Sequence, residues 1–142
     1  MQRGQDCGVE HLMPWFKIDD TIHSHPKSRA AGAPAMGLWA MSGAYSSAYK
    51  LDGFVPRDYV STWPQGVKLA DRLVAARYWH PDGQECDCIP EERSTGGWYF
   101  HDWADYQVSA DEIERDREMA RERQRRRREA LRQSRKEGNG AA

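Results

Sequence analysis

Pro64-Gln65-Gly66-Val67-Lys68-Leu69-Ala70-Asp71-Arg72-Leu73-Val74 decides the reading of this chain. Pro64, Gln65 and Gly66 break whatever precedes them. Val67–Tyr78 then reads as an amphipathic helix, with Val67, Ala70, Leu73, Val74 and Trp79 facing inward. Lys68 and Arg72, four apart, share its outer face beside Ala75. Two strand candidates follow, Arg77–His80 and Gly97–Trp103, joined by the polar stretch Pro81–Gly96. Trp98 and Phe100 alternate with Tyr99 and His101, the period of a half-buried strand. A helix running into a hairpin with a long, mobile tip is therefore expected.

Upstream, Arg57–Trp63 reads as a short helix opened by Pro56. Leu51–Pro56 is a turn and a very short strand. Pro34 to about Tyr49 has helical spacing in Ala35, Leu38, Ser42, Tyr45 and Tyr49. Gly37 and Gly43 weaken it, so close packing is expected to hold it. Pro26–Ala31 is a shorter helix ended by Gly32. Trp15–Ile18 reads as an edge strand. Asp19, Asp20, His23 and His25 fit turn and capping roles better than a hydrolytic metal site.

Helix, short strand, short helix, amphipathic helix and hairpin follow the order of a winged helix-turn-helix. That order places 67–78 in the major groove. The fold class expected is α+β, a winged helix-turn-helix domain over 13–108 with a C-terminal charged helical tail. Residues 1–12 are expected to be a flexible leader, with Met13 an alternative start. Residues 109–142 are expected to form an Arg-rich helical tail with a disordered end. Gln65, Lys68 and Arg72 would face base edges or phosphates, and Arg57 the backbone.

The chain has 142 residues, 21 Lys and Arg against 22 Asp and Glu. The balance is uneven: 111–137 holds 11 basic and 8 acidic residues, leaving 10 basic and 14 acidic elsewhere. Arg125, Arg126, Arg127 and Arg128 are consecutive, so every face of a helix there is cationic, which suits phosphates. A solubilising charged helix is the plainer reading of such a block. Ser109 and Glu112 form a capping box, and Asp111/Arg115, Glu118/Arg121 and Glu122/Arg126 are spaced as ion pairs.

Three cysteines, Cys7, Cys86 and Cys88, are too few for a disulfide framework. No apolar run approaches the roughly 20 residues of a membrane span. Asp6 and Glu10 occupy a start that lacks the apolar core of a signal peptide. A cytoplasmic setting in a bacterial host cell is expected, without membrane contact. No phosphate-binding loop, nucleophile–His–acid pattern or metalloprotease helix is present, so an enzyme is not expected. His80, Cys86, Cys88 and His101 form the one metal-like set. The Cys-x-Cys spacing is tighter than a usual knuckle and there is a single pair. Two reduced thiols on a wing tip are favoured over zinc, and no cofactor is expected. The six tryptophans are assigned to core and wing packing rather than base stacking.

Trp15–Asp20 with His23-Ser24-His25-Pro26-Lys27 resembles an opening found in small proteins of actinobacterial phages and prophages. So do Gly37-Leu38-Trp39, Asp52-Gly53-Phe54-Val55-Pro56, Leu73-Val74-Ala75-Ala76, and Phe100-His101-Asp102-Trp103 with Asp105-Tyr106-Gln107. Those proteins are described as helix-turn-helix or replication-initiator-like, and the head resembles the N-terminal domain of phage replisome organisers. The resemblance covers about Met13–Ser109. It implies binding of double-stranded DNA in phage replication initiation or transcription regulation. A protein–protein interaction module, and tail-led RNA binding, are the alternatives. A homodimer through the tail or through Pro34–Tyr49, and a replication or host protein partner, are compatible with the sequence.

Overall fold

The computed structural model describes residues 15–140. They divide into two units, a head reaching to Ala110 and the helix beyond it. The leader expected over 1–12, the alternative start at Met13 and Cys7 lie outside the described residues.

The head runs α1 (Pro26–Ala31), α2 (Ala33–Ala48), β1 (Phe54–Pro56), α3 (Arg57–Ser61), α4 (Gly66–Ala75), β2 (Trp79–Pro81), β3 (Gly97–Phe100) and α5 (Trp103–Tyr106). The class is α+β. The three strands form one antiparallel sheet in the order β1-β3-β2. Phe54 pairs with Tyr99 and Val55 with Trp98 on one side. Trp79 pairs with Phe100 and His80 with Tyr99 on the other.

Because strand side chains alternate, this register sends Val55, Trp79, Trp98 and Phe100 to one face. There they join Ala35, Leu38, Val60, Ala70 and Leu73 in the core. Phe54, Tyr99 and His80 take the other face. Contrary to the half-buried expectation, all four β3 residues are buried. The reason is the 82–96 loop, which comes back over the second face: the Ser94 N–H donates to the Tyr99 hydroxyl at 2.7 Å.

Several boundaries differ from the sequence reading. α3 ends at Ser61. α4 ends at Ala75, and just beyond it Arg77 adopts a left-handed φ of 64° that turns the chain into β2. β3 stops at Phe100, before the left-handed Asp102. Residues 15–18 form no strand. Instead the Gln107 side chain pairs with the Lys17 backbone, accepting its N–H at 2.9 Å and donating to its carbonyl at 2.8 Å. One amide side chain does here what a neighbouring strand would do. The 19–25 segment is a capping region as read: the Asp19 carboxylate accepts the Thr21 N–H at 2.7 Å and His25 Nδ1 accepts that of Lys27 at 3.1 Å. Trp79, Trp98 and Trp103 are buried, but Trp15 is 79% exposed and Trp63 is also exposed, so these two are not core residues.

Helix α6 spans Ala110–Gly140, roughly 46 Å at 1.5 Å per residue. Its surface carries the expected Glu122–Arg126 pair at 3.1 Å, and the same carboxylate takes Arg125 at 2.9 Å. These two guanidinium hydrogen bonds hold the Glu122 carboxyl below its ordinary range. Arg121 turns to Glu114 at 3.9 Å, not to Glu118, the position assigned to it by spacing.

The two helix glycines of α2 behave differently. A side chain on Gly43 would run into the Phe16 ring, so close packing explains it. Gly37 is exposed and faces open space, so packing does not. Gly37→Ala is expected to stabilise the head by about 0.5–1 kcal/mol, the helical cost of glycine. Gly43→Ala is expected to destabilise it by displacing Phe16. Urea unfolding midpoints of the two variants check both signs.

Candidate metal centre

His80 lies in β2 and His101 one residue past the end of β3. The His101 N–H donates to the Tyr78 carbonyl at 2.9 Å, continuing the ladder by one rung. That places the two histidines diagonally on the same sheet face, the separation at which long side chains meet. His80 Nε2 and His101 Nδ1 lie 2.8 Å apart, with the rings nearly perpendicular at 86°.

The loop delivers the remaining two groups. After Pro81 the chain turns through Gly83, at φ 80°, and the Ile89 N–H closes a tight turn onto the Cys86 carbonyl at 3.0 Å. Arg93 reaches back to the Gln84 carbonyl at 3.1 Å and to both Glu85 oxygens at 3.0 Å. The Gly96 N–H donates to Asp82 at 2.6 Å and closes the loop base. The cysteines are therefore not at a projecting tip, as the sequence suggested, but folded back onto the strands. Cys88 Sγ lies 3.2 Å from His80 Nε2, 3.5 Å from His101 Nδ1 and 3.0 Å from Cys86 Sγ. Cys86 Sγ lies 3.9 Å from His101 Nδ1. All four ligand atoms fall within 4.8 Å of one another.

These separations can be compared with a metal tetrahedron. Bonds of about 2.3 Å to sulfur and about 2.0–2.1 Å to nitrogen require edges of roughly 3.8 Å between sulfurs, 3.4 Å between nitrogens and 3.5 Å for mixed pairs. The three mixed separations above, 3.2, 3.5 and 3.9 Å, bracket that edge, and the like pairs need to open by roughly 0.6–0.8 Å, within the reach of small side-chain rotations. His101 Nε2 is 2.9 Å from the Asp102 carboxylate. That bond fixes the proton on Nε2 and leaves Nδ1 a lone pair turned into the cluster, the carboxylate–histidine arrangement common behind metals. Asp102 contributes twice, since its backbone N–H also donates to the Cys88 sulfur.

Burial pushes the Cys88 thiol up to about 11, with that N–H pulling the other way and the neighbouring Cys86 adding to the rise. Without a cation the Cys88 sulfur is therefore a protonated, poorly nucleophilic thiol at neutral pH. Burial, then the adjacent His101, lowers the proton affinity of His80, while a Gln84 side-chain hydrogen bond opposes them. Two soft sulfurs and two imidazoles gathered within 4.8 Å are a donor set that zinc accepts.

Sequence reasoning picked out the four ligands but missed Asp102 and Gln84. Asp102 had a signal in its adjacency to His101, whereas the role of Gln84 depends on the loop path.

The residues assigned to nucleic acid lie elsewhere. Lys68 and Arg72 are exposed on α4 with Asp71 between them, and Gln65 is exposed at its entry in a left-handed conformation of φ 56°. The structure brings Arg57 to the sheet instead, with its guanidinium 4.8 Å above the Trp98 ring. Arg125, Arg126, Arg127 and Arg128 are all exposed on α6. The 82–96 loop, by contrast, has five acidic residues and one basic.

No protein family matches this sequence, and no curated protein or solved structure shows significant similarity to it.

Proposed function

We propose that the chain is a DNA-binding protein of the winged-helix type whose β2–β3 loop is held by one structural zinc ion. The observation that carries the zinc reading is the convergence of His80, Cys86, Cys88 and His101. Four protein ligands complete a tetrahedron and leave no open position, which suits a structural rather than a catalytic ion. The residues fit the group: His80 and His101 would bind through the inward nitrogens, and Cys86 and Cys88 as thiolates. Zinc would supply the cross-link that closes the loop onto the sheet.

The DNA reading rests on topology together with one helix face. The order α2, β1, α3, α4, β2, β3 with a β1-β3-β2 sheet supports a winged helix. α4 buries Gly66, Ala70 and Leu73 and turns Lys68 and Arg72 outward. In a winged helix that face would enter the major groove. The acidic loop does not suit phosphate contact, because its charge is repelled by the backbone. Affinity would then come from α4 and from the cations of α6 by counterion release. The resemblance to phage replication-initiator-like proteins points to replication initiation or transcriptional control.

Protein purified without chelator is expected to carry one zinc per chain by elemental analysis. Chelation is expected to lower the melting temperature by roughly 10 °C or more, since each kcal/mol is worth roughly 4–8 °C in a domain of this size. Cys88→Ser and His101→Ala are expected to lose the metal, and retention of full stoichiometry by both would contradict the site.

On duplex DNA followed by fluorescence anisotropy, Lys68→Ala with Arg72→Ala is expected to weaken binding about tenfold or more. Changing Arg125–Arg128 to Gln is expected to flatten the salt dependence by up to about 3–4 log units per log unit of salt. If the α4 variant binds like the parent, α4 is not the reader. Loss of all nucleic-acid affinity in the Gln variant alone would favour tail-led binding.

A further inference from the structure

The head has a concavity apart from the outer face of α4, bordered on one side by His101 of the candidate metal cluster and by its neighbour Asp102. It encloses about 340 Å³, inside the range of small-ligand sites. Its apolar wall is aromatic, drawn from Phe16, Trp39, Tyr78, Phe100 and Trp103. Phe16 stacks on Trp103 at 5.8 Å and 17°, and meets Trp39 edge-on at 4.9 Å. These mutual contacts hold the wall in place, so a flat guest would meet preformed ring surfaces.

The polar lining carries both signs, with Lys17, Lys27 and Arg77 against Asp19 and Asp102. The two carboxylates already accept hydrogen bonds, Asp19 from Thr21 and Asp102 from His101, and Gln107 accepts the Lys17 N–H. Donors on the same wall keep capacity for a guest. Lys27 spends one of its three N–H donors on the Arg77 carbonyl at 3.0 Å, and its ammonium sits 4.5 Å over the Tyr78 ring. His25 accepts at Nδ1, so its neutral ring carries the proton on Nε2 as a further donor. The Arg77 guanidinium makes no hydrogen bond among the described residues. Arg77 and Asp102 line the pocket and both have left-handed backbones, φ 64° and 55°. Strain of this kind in non-glycine residues gathers at ligand sites.

We propose that this pocket binds a small aromatic carboxylate, its ring among Phe16, Trp39 and Trp103 and its carboxylate met by Lys27 and Arg77. Aromatic rings supply the area, and a guanidinium paired with an ammonium supplies the charge-assisted bonds that an anion requires. Trp103 is buried with its indole N–H unpartnered among the described residues, which makes it a sensitive reporter. The proposal goes beyond the zinc and DNA readings and needs neither.

The test is a titration of the full chain, as purified, with 2-naphthoate and with the neutral 2-naphthylmethanol, followed by two-dimensional NMR of the indole N–H groups. Naphthoate is expected to shift the Trp39 and Trp103 indole signals with a Kd on the order of 1 mM or tighter. The alcohol is expected to bind about tenfold more weakly, the equivalent of about 1.4 kcal/mol. Lys27→Gln and Arg77→Gln are each expected to narrow that gap. Equal affinity for acid and alcohol, or no shift of either indole with naphthoate up to about 10 mM, overturns the proposal. The acid–alcohol comparison uses the unaltered chain, so it holds even if a variant folds poorly.

Discussion

Strand β3 is the constraint on which the head depends. It is four residues long, wholly buried, and pairs with both β1 and β2. Its register decides what each face contains. With Trp79 opposite Phe100 and His80 opposite Tyr99, the large rings fall to the core and the histidines to the other side. A slip of one residue would send His80 into the aromatic core and Trp79 out of it. The same pairing that builds the core therefore sets out two of the four candidate metal ligands.

The other two arrive on a loop that has little means of ordering itself. Residues 82–96 contain Ile89 as their sole large aliphatic side chain. Fixing each backbone costs roughly 1–2 kcal/mol in conformational entropy, and apolar burial of this loop cannot offset that. The ordering comes from polar links: the Arg93–Glu85 pair, the Asp82–Gly96 closure and the Cys86–Cys88 turn against the histidines. A metal at that point would join the loop's middle to its base. It would also draw both thiols to their charged form, against the burial that otherwise keeps Cys88 protonated.

Much of the head was legible because its signals are local. The inward face of α4, the proline starts of α1 and α3, and the caps at Asp19 and His25 follow from neighbouring residues. What escaped depends on distant partners. Residues 15–18 have strand composition, yet their backbone partner is the side chain of Gln107, ninety positions along the chain. β3 looked half-exposed because alternation reports the strand and not the loop that covers it. The cysteine spacing looked poor for zinc because the other half of the cluster comes from β2 and from the residue after β3. Charge told two stories: the basic stretch of α6 was plain in the sequence, while the exposed acidic loop beside the candidate metal ligands gained meaning once its path was known.

X-ray absorption at the zinc edge of the purified protein tests the metal centre most directly. Two sulfur neighbours at about 2.3 Å and two nitrogens at about 2.0–2.1 Å are expected. A shell of nitrogen and oxygen alone, or a protein that folds fully and holds no zinc when zinc is supplied, would contradict this centre.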